Sequence, residues 1–522
     1  MGIIHRLIFR LITLGVAAGV IVVLFSSSAS IQSERVEALN LTSGPGASYG
    51  TGGFDQLASV ENLAGVAYVR EVLDWSQIEP VQGTYNWTTP IPYAAVFTSE
   101  KTLGFKVIAV LTGGPVYLAG SGTAAVDTTQ FLLRWADYVQ AAVNTLGDQV
   151  DIWEIGSQIN TSTGMSAFVE PLAPSSSTTP DPALYAKMLK VANNIIKSAD
   201  PNDEVWMGSL VSAASSKCAM NPLTFILEVN GARGWSSMDS IEYTPARGAV
   251  APETPQTVVN SACGSSLPGN TGTLTTEVQA VQDLARQLGG KPVRIEALGW
   301  SSDQLNSLDA NRDITQDQLL ADYLTRATVL MAGSDGITTF FWQVDPKAQP
   351  AALTALRNLN STLAGASFES QPQGQSGSVF EYRFTKGSQW IIIAWHAQDG
   401  DNPVPVTLSG LKVSQLMAYP VDADGFTSGT GTAISVDGAG NATVLLNERP
   451  VVFLGRTSDL GLAMQQESAA QTSQWGYAIK VEARRAENQL KAAMLHALEN
   501  IFDSAKQQAI QWGEDKLNSI LN

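Results

Sequence analysis

The sequence predicts an α/β fold: a (β/α)8 TIM barrel followed by a small antiparallel β-sandwich. Residues 51–365 alternate short apolar runs with amphipathic stretches, and this alternation is typical of a parallel sheet covered by helices. Residues 366–456 carry short strand-like runs separated by Gly-, Asp- and Asn-containing turns, which indicate a sandwich. Two further patterns flank these domains, an N-terminal transmembrane helix within 1–30 and a long amphipathic helix over 477–522.

Composition and charge limit the classes of partner. The chain has 522 residues, which is too long for one ordinary domain. Its formal net charge of −17 argues against nucleic acid, which requires basic patches. Its three histidines and two cysteines form no spacing typical of metal ligands, so neither a metal nor another cofactor is predicted. An acidic body is compatible with glycan ligands.

The N-terminal segment predicts the location of the protein. Residues 7–25 are almost wholly apolar, and basic side chains precede their longest uncharged part. This arrangement predicts a membrane anchor with a cytoplasmic N-terminus and an extracytoplasmic body, at the cell surface or in the periplasm. A Ser/Gly-rich linker is predicted over 31–50. The small residues at 28–30 make a cleaved signal peptide, and hence secretion, the alternative.

The two cysteines, Cys218 and Cys263, both lie in sequence typical of surface loops. In an exported protein they predict one disulfide that joins two barrel loops. Two unrelated thiols are the alternative.

The barrel strands can be predicted in order from the second to the eighth, with the barrel beginning near residue 52. Helical patterns separate most of these strands. The strands are predicted at 65–75, 106–111, 151–160, 204–211, 235–245, 291–300 and 336–345, and the helices at 131–146, 181–199, 273–288, 316–332 and 352–364. Because barrel enzymes carry their active sites at the carboxyl ends of the strands, polar residues there are the candidates for function.

The fourth strand carries a recognisable motif. Trp153-Glu154-Ile155-Gly156-Ser157-Gln158 resembles the fourth-strand motif of the clan A retaining glycoside hydrolases, especially the β-xylosidase-like family 39 group, and a family 5-like barrel. In that motif the last residue is Glu and serves as general acid/base, whereas this chain has Gln158. Ser157 replaces an Asn that, in the family, holds the sugar 2-hydroxyl. Glu154 has the same strand parity as Gln158 and is either a buried structural carboxylate or a substitute acid.

The second and sixth strands extend the resemblance. Arg70, Trp75 and the Glu79-Pro80 pair match the spacing of the clan pattern, which implies that Arg70 lies near the catalytic carboxylates. An ordinary ion pair within the barrel is the alternative for Arg70. On the sixth strand, Thr244-Pro245-Ala246 stands where the family has His-Pro-Tyr.

The seventh strand matches the family with a shift of one residue. The family carries its nucleophile in Thr-Glu-x-Gly-Trp, and counting back from Gly299-Trp300 places that position on Ala297, one residue after Glu296. Side chains alternate along a strand, so Glu296 would point away from the barrel axis in a regular strand. A β-bulge would return it to the axis.

Further candidate residues follow from the same resemblance. Glu242 on the sixth strand is an alternative catalytic carboxylate. Trp342 matches the family's sugar-platform tryptophan, with a core tryptophan as the alternative. Tyr243 and Trp300 are also predicted to contact substrate.

Residues 477–521 form a long helical pattern with a wide apolar stripe, preceded by a polar linker at 457–476. Such a stripe needs a partner. We expect either self-association or a protein partner, because the mixed charges of the polar face disfavour membrane-surface binding.

Two functions compete. The favoured prediction is a membrane-anchored, catalytically degenerate glycosidase that binds glycans or serves as a structural subunit of an envelope assembly. The alternative is an active retaining β-glycosidase that hydrolyses O-glycosyl bonds of a polysaccharide, with Glu296 as nucleophile and Glu242 or Glu154 as acid/base. A scaffold without glycan contacts, the third possibility, predicts a barrel mouth plugged by side chains.

Overall fold

A computed structural model gives the structure of most of the chain. It describes residues 38–42, 65–89, 91–114, 116–119, 127–162, 164, 180–212, 219–248, 250–257, 271–308, 314–333, 337–345, 348–372, 378–397, 402–427 and 429–456. The predicted disulfide, membrane segment and C-terminal helix, at Cys218, Cys263, 7–25 and 477–521, lie outside these residues.

An eight-stranded parallel sheet forms the first domain and fits the predicted (β/α)8 barrel. Its strands follow one another in the order β1-β8-β7-β6-β5-β4-β3-β2. The end strands β1 and β2 approach within 8 Å between Cα atoms, which brings the sheet round on itself. The strands are β1 (Ala38–Thr42), β2 (Tyr68–Asp74), β3 (Lys106–Thr112), β4 (Ile152–Ile155), β5 (Glu204–Val211), β6 (Ser240–Thr244), β7 (Val293–Leu298) and β8 (Thr339–Gln343).

Strand β1 corrects the predicted domain boundary. The sequence predicts a linker over residues 31–50 and a barrel that begins near residue 52. Instead, Ala38–Thr42 pairs in parallel with β8, from Ala38 opposite Thr339 to Thr42 opposite Gln343. Five residues with only two leucines, set in Ser/Gly-rich sequence, give too weak an apolar pattern for a strand to be predicted.

Helices cover the outside of the sheet. They are α1 (Trp75–Ile78), α2 (Tyr93–Thr102), α3 (Thr128–Leu146), α4 (Pro182–Ala199), α5 (Pro222–Gly231), α6 (Leu274–Gln287), α7 (Ser302–Leu308), α8 (Gln316–Ala332) and α9 (Pro350–Leu363). Several begin with polar caps: Asp181 accepts from the backbone N–H groups of Ala183 and Leu184, and Thr315 forms a capping box with Gln318. The outward side chains of the strands and the facing helix side chains form the large hydrophobic core.

The side chains on the inward face of the barrel change from apolar to charged along the strands. Near the amino ends it is closed by an apolar layer of Tyr68, Ile108, Ile152, Trp206 and Phe341. Two residues further along β2 and β4, at positions of the same parity, stand Arg70 and Glu154. Charged groups therefore lie directly above an apolar floor.

The second domain is antiparallel, as predicted. A six-stranded sheet in the order β9-β10-β11-β16-β13-β14 is accompanied by the two-stranded sheet of β12 and β15. A separate apolar core, including Trp390, Ile392 and Phe453, lies in this domain. The strands are β9 (Ser367–Ser370), β10 (Val379–Lys386), β11 (Gln389–His396), β12 (Val404–Leu408), β13 (Gln415–Pro420), β14 (Thr432–Ser435), β15 (Ala442–Leu446) and β16 (Val451–Arg456).

The two domains share a buried junction at helix α8. Residues 319–332 of this helix are buried on every side. Arg449, which precedes β16, places Nε 3.0 Å from Asp322 of α8 and Nη2 3.0 Å from Asp422. Asn358 of α9 donates to the carbonyl oxygens of Val421 and Ala423 at 2.9 and 2.8 Å. Barrel and sandwich accordingly form one compact unit that ends at Arg456.

Within the described ranges, the helices are all too short or too polar to cross a lipid bilayer.

Candidate functional site

Arg70 organises the inward-facing polar residues. Its Nε and Nη2 atoms donate to the two carboxylate oxygens of Glu154 at 2.6 and 2.7 Å, and Nη2 lies 3.1 Å from Oε1 of Glu296. One guanidinium therefore bridges carboxylates from β4 and β7. Together with Glu242, the inward carboxyl group of β6, these residues form what we call the Arg70 cluster.

A β-bulge begins at Glu296 of this cluster. Strand β7 pairs with β8 at Ile295–Phe340 and next at Leu298–Trp342, so Glu296 and Ala297 together lie opposite a single residue. Glu296 keeps the inward parity of Arg294 and faces Arg70 on the barrel axis, and the extra residue returns Leu298 to the outer core. The extra residue accounts for the shift between Glu296 and the family's nucleophile position.

Thr244 supplies a second contact to Glu296. Its Oγ1 atom, at the carboxyl end of β6, donates to Oε2 of Glu296 at 2.6 Å. Each oxygen of Glu296 thus has its own partner, Arg70 for Oε1 and Thr244 for Oε2. The side chain of Glu296 retains 7% exposure, whereas that of Glu154 has none.

Glu242 is the most isolated group of the cluster. It is fully buried, and neither of its carboxylate oxygens has a hydrogen-bond donor nearby in the described structure. Burial, followed by the negative charge of Glu154, raises the pKa of Glu242 well above its ordinary value. Burial also raises the pKa of Glu154, and the attraction of Arg70 offsets this only in part. Burial would lower the pKa of Arg70, but Glu154 and Glu296 raise it overall.

Gln158 lies at the rim, beyond the end of β4. Its backbone adopts a left-handed conformation with φ of 51°, and Gly156, two residues earlier, has φ of 83°. The N–H of Gln158 donates to Oγ of Ser209 at 2.9 Å, and Oγ of Ser157 lies 3.3 Å from the same Ser209 oxygen. The segment is further fixed by Asn160, which exchanges hydrogen bonds with the backbone of Val211.

Ser209 is the residue that sequence reasoning missed. It lies in a second bulge, because β5 pairs with β6 at Met207–Ile241 and next at Leu210–Tyr243. Gly208, a glycine inside a strand, was the available signal. The bulge turns the Ser209 hydroxyl toward the rim segment of β4.

The mouth of the barrel is open along β2. Val72 has the same inward parity as Arg70, yet 42% of its surface is exposed. Gln343, at the end of β8, is also exposed. Asp74, the last residue of β2, is engaged as the cap of α1, with Oδ1 accepting from the N–H and hydroxyl of Ser76 at 2.9 and 2.6 Å.

The three predicted aromatic contacts lie in the packing layers. Trp342 is fully buried on the outward face of β8, and its indole N–H donates to Thr328 of α8 at 2.9 Å. Tyr243 is fully buried on the outward face of β6. Trp300 is 4% exposed and donates to the carbonyl of Val250 at 3.1 Å. A sugar-platform role does not fit these positions, because the side chains already pack against the protein itself.

No cluster of His, Cys, Asp and Glu suited to a metal ion occurs in the part of the chain that the structure describes.

Comparison with known proteins relates the fold to clan A glycoside hydrolases. Neither protein-family models nor curated proteins gave a match to the sequence. A family 39 glycoside hydrolase from Bacteroides cellulosilyticus WH2 is similar in structure, with a TM-score of 0.58, 16% identity and 81% coverage of both chains. A GH30 endoxylanase from Clostridium papyrosolvens C71 gives 0.54 at 12% identity, covering 82% of this chain and 98% of the other. The family 51 α-L-arabinofuranosidase AbfB from Bifidobacterium longum gives 0.50 at 12% identity, covering 82% and 96%.

The fold therefore defines a class: a glycoside-hydrolase-type barrel with an appended β-sandwich. At these identities the likeness concerns the fold alone.

Proposed function

We propose that this protein binds a glycan in the mouth of its barrel and does not hydrolyse unactivated glycosidic bonds. The exposure of the carboxyl groups carries the proposal. In the Arg70 cluster, Glu296 is the one carboxylate whose side chain is partly exposed to solvent. At the rim, Gln158 occupies the position that holds the acid/base glutamate in the family's motif. Glu154 and Glu242, the substitute acids considered from the sequence, are fully buried.

The chemistry explains why this arrangement favours binding. A retaining glycosidase needs two carboxyl groups about 5–5.5 Å apart on either side of the scissile bond. A neutral amide cannot protonate a leaving alkoxide, and general acid catalysis contributes typically about 10²–10⁴-fold. Gln158, Ser157 and Glu296 can still exchange hydrogen bonds with sugar hydroxyl groups.

The charge of the site narrows the ligand class. Arg70 is already paired with two carboxylates, so it is not free to receive an acidic sugar, and Glu296 would repel one. We therefore propose a neutral glycan. Because two structural neighbours are named as an endoxylanase and an arabinofuranosidase, neutral pentose-containing oligosaccharides are the first ligands to test.

Calorimetric titration of the full-length protein with neutral and uronate-containing oligosaccharides tests this proposal. We expect binding of a neutral oligosaccharide that stays intact on prolonged incubation. Glu296→Gln should weaken it by about 10-fold or more, because hydrogen bonds to charged groups contribute about 1.5–3 kcal/mol. Glu228→Gln, at an exposed site on α5, is the matched control. Release of reducing ends by the wild type would overturn the proposal.

A second candidate function is an active retaining β-glycosidase with Glu296 as nucleophile. The position of Glu296 favours it, because this carboxylate lies on the barrel axis between Arg70 and Thr244. Mass spectrometry after incubation with activated 2-fluoro aryl glycosides tests the nucleophile alone, since these leaving groups need no acid. An adduct on Glu296 that is absent from Glu296→Gln would support this candidate.

We further propose that residues 7–25 anchor the protein with its body outside the cytoplasm, and that helix 477–521 joins it to a second copy or to another envelope protein. The apolar run and the apolar stripe of the sequence support this proposal. Protease treatment of intact cells should digest the barrel. Protection of the barrel in intact cells would contradict the orientation.

A further inference from the structure

Three inward carboxyl groups face one cation in the Arg70 cluster. Arg70 pairs with Glu154 and Glu296, and Glu242 is left without a cation or a hydrogen-bond donor in the described structure. An ionised carboxylate at such a fully buried position is very costly, so groups of this kind take up a proton instead. The energetic cost of burying the polar carboxyl group of Glu242 must therefore be offset by an interaction with one of its neighbours.

Four neighbouring elements, β2, β4, β7 and α4, carry charged or titratable side chains near Glu242. Arg70 comes from β2, Glu154 from β4, and Glu296 and Arg294 from β7. Arg294 lies opposite Glu242 in register but donates to Ser240 and Thr339 at 3.1 and 2.8 Å, and stacks on Trp206 in the layer below. Tyr185 of α4 is occupied as well, because its hydroxyl donates to the carbonyl of Ile155 at 2.7 Å.

The remaining neighbour is Glu154, which is fully buried like Glu242 and faces the barrel interior from β4, on the other side of β5. Two ionised carboxylates have no proton between them and can only repel each other. One proton placed on Glu242 replaces this repulsion by an O–H···O⁻ hydrogen bond, which is among the stronger kinds. Glu154 is suited to accept it, because both of its oxygens are already fixed by Arg70.

We infer that Glu242 is a permanently neutral carboxylic acid that donates a hydrogen bond to Glu154 and so positions the Arg70 cluster beneath Glu296. Glu242 is a positioning residue, since it is fully buried below the mouth. This role goes beyond the proposed glycan binding and does not depend on which sugar is bound.

The inference predicts how stability varies with pH. A carboxyl group whose folded-state pKa is raised keeps its proton in the folded protein, while the unfolded chain loses it above a pH of about 4.3. The unfolded state then binds fewer protons, so stability falls as pH rises. The variant Glu242→Gln would offer a similar donor, an amide N–H, without this dependence on pH.

The test compares thermal unfolding of full-length wild type and Glu242→Gln at pH 5 and pH 8. We expect the Tm of the variant, relative to wild type, to rise by about 4 °C or more between the two pH values, because a carboxyl group that stays neutral in the folded state loses about 1.4 kcal/mol of stabilisation per pH unit, or about 4 kcal/mol over three units. Glu228→Gln, on the exposed surface of α5, should show no such change. A difference between wild type and Glu242→Gln that is constant with pH would overturn the inference.

Infrared spectroscopy provides an independent measurement if Glu242→Gln fails to fold. At pH 9, above the pKa values of about 7 for the buried Glu277 and Asp322, folded wild type should retain the carbonyl band of a protonated carboxylic acid. Loss of this band while the protein stays folded would overturn the inference. Neither measurement involves a glycan, so a failure of the proposed function would be recognised separately.

Discussion

Arg70 is the cation that joins the carboxylates of the candidate site. Its side chain is 7% exposed, and its guanidinium contacts Glu154 and Glu296 at once. The planar fork of arginine suits such a bidentate contact, which a lysine could not reproduce. Removing this cation would leave two buried carboxylates facing each other.

We therefore expect Arg70→Met to destabilise the fold by about 3–5 kcal/mol, the usual cost of breaking a buried ion pair from one side. Urea unfolding of the full-length protein measures this loss. Arg134→Met is a suitable control, because Arg134 pairs with Asp137 at a partly exposed position on α3 and should change stability by no more than about 0.5 kcal/mol. Equal losses in both variants would contradict the central role of Arg70.

Gln158 provides the second test at the scale of a residue. Gln158→Glu keeps the shape of the side chain and the positive φ at this position, but it supplies a carboxylic acid. If a glycan binds in the mouth with Glu296 below it, we expect hydrolysis to rise by about 10²–10⁴-fold. Reducing-end release measures the gain.

The double variant Gln158→Glu with Glu296→Gln is the control for that gain and should be inactive. Undiminished activity of the double variant would show that Glu296 is not the nucleophile. A bound glycan that stays intact with Gln158→Glu alone would show that the rim and Glu296 do not flank the same bond.

At the scale of elements, two bulges shape the candidate site. The bulge in β7 follows the inward-facing Arg294 and separates Glu296 by one extra residue from Leu298 in the outer core, and the bulge in β5 turns Ser209 toward Gln158. The strands themselves could be predicted from apolar runs. A bulge, however, depends on pairing with the neighbouring strand, which a single segment does not encode. This is why the direction of Glu296 had to stay open at the level of sequence.

Gly208 makes the β5 bulge possible. A Cβ atom at this position would collide with the carbonyl oxygens of Ile155 and Gly156 in and just after β4. We expect Gly208→Ala to lower stability by about 1–3 kcal/mol, as overpacking of a well-packed interior does. Thermal or urea unfolding measures the effect.

Gly231→Ala is the matched control, because a Cβ atom there meets nothing within 4 Å. Alanine should be neutral or stabilising by up to ~1 kcal/mol at the end of α5. If both glycine variants behaved alike, close approach of β4 and β5 would not be the reason for Gly208.

At the scale of the whole molecule, Arg449 couples the sandwich to the barrel. It pairs with Asp322, whose side chain is 2% exposed, and with Asp422. Burial raises the pKa of Asp322 to about 7 despite the attraction of Arg449. The ion pair at this junction is therefore fully formed only above neutral pH.

Arg449→Met should destabilise the protein more at pH 8 than at pH 5. At pH 5 Asp322 is protonated in both proteins, so little pairing is lost. At pH 8 wild-type Asp322 is ionised and paired, whereas the variant must keep a proton or bury a lone charge. Tm values at the two pH values measure this difference, and Arg357→Met, at an exposed position of α9, should show no pH-dependent loss.

Much of this architecture could be predicted, because the helices and strands of the barrel and the sandwich follow the helical and strand periodicities of apolar residues in the sequence. Strands β2 to β8 gave clear apolar runs, whereas β1 is too short and too polar. The site was harder to predict. Arg70 lies beside carboxylates, as the resemblance implies, but the sequence left the direction of Glu296 open. Trp342 and Tyr243 lie on the outward face of their strands, which spacing alone did not decide.

Strand β1 also has a consequence for orientation. It starts at Ala38 and runs parallel to its neighbour β8, so the chain enters the barrel at the closed, apolar end. From residue 25 to residue 38, an extended chain spans at most about 45 Å. If residues 7–25 cross a membrane as proposed, the floor of the barrel, and not the mouth with Gln158 and Glu296, is the end to which the anchor is joined.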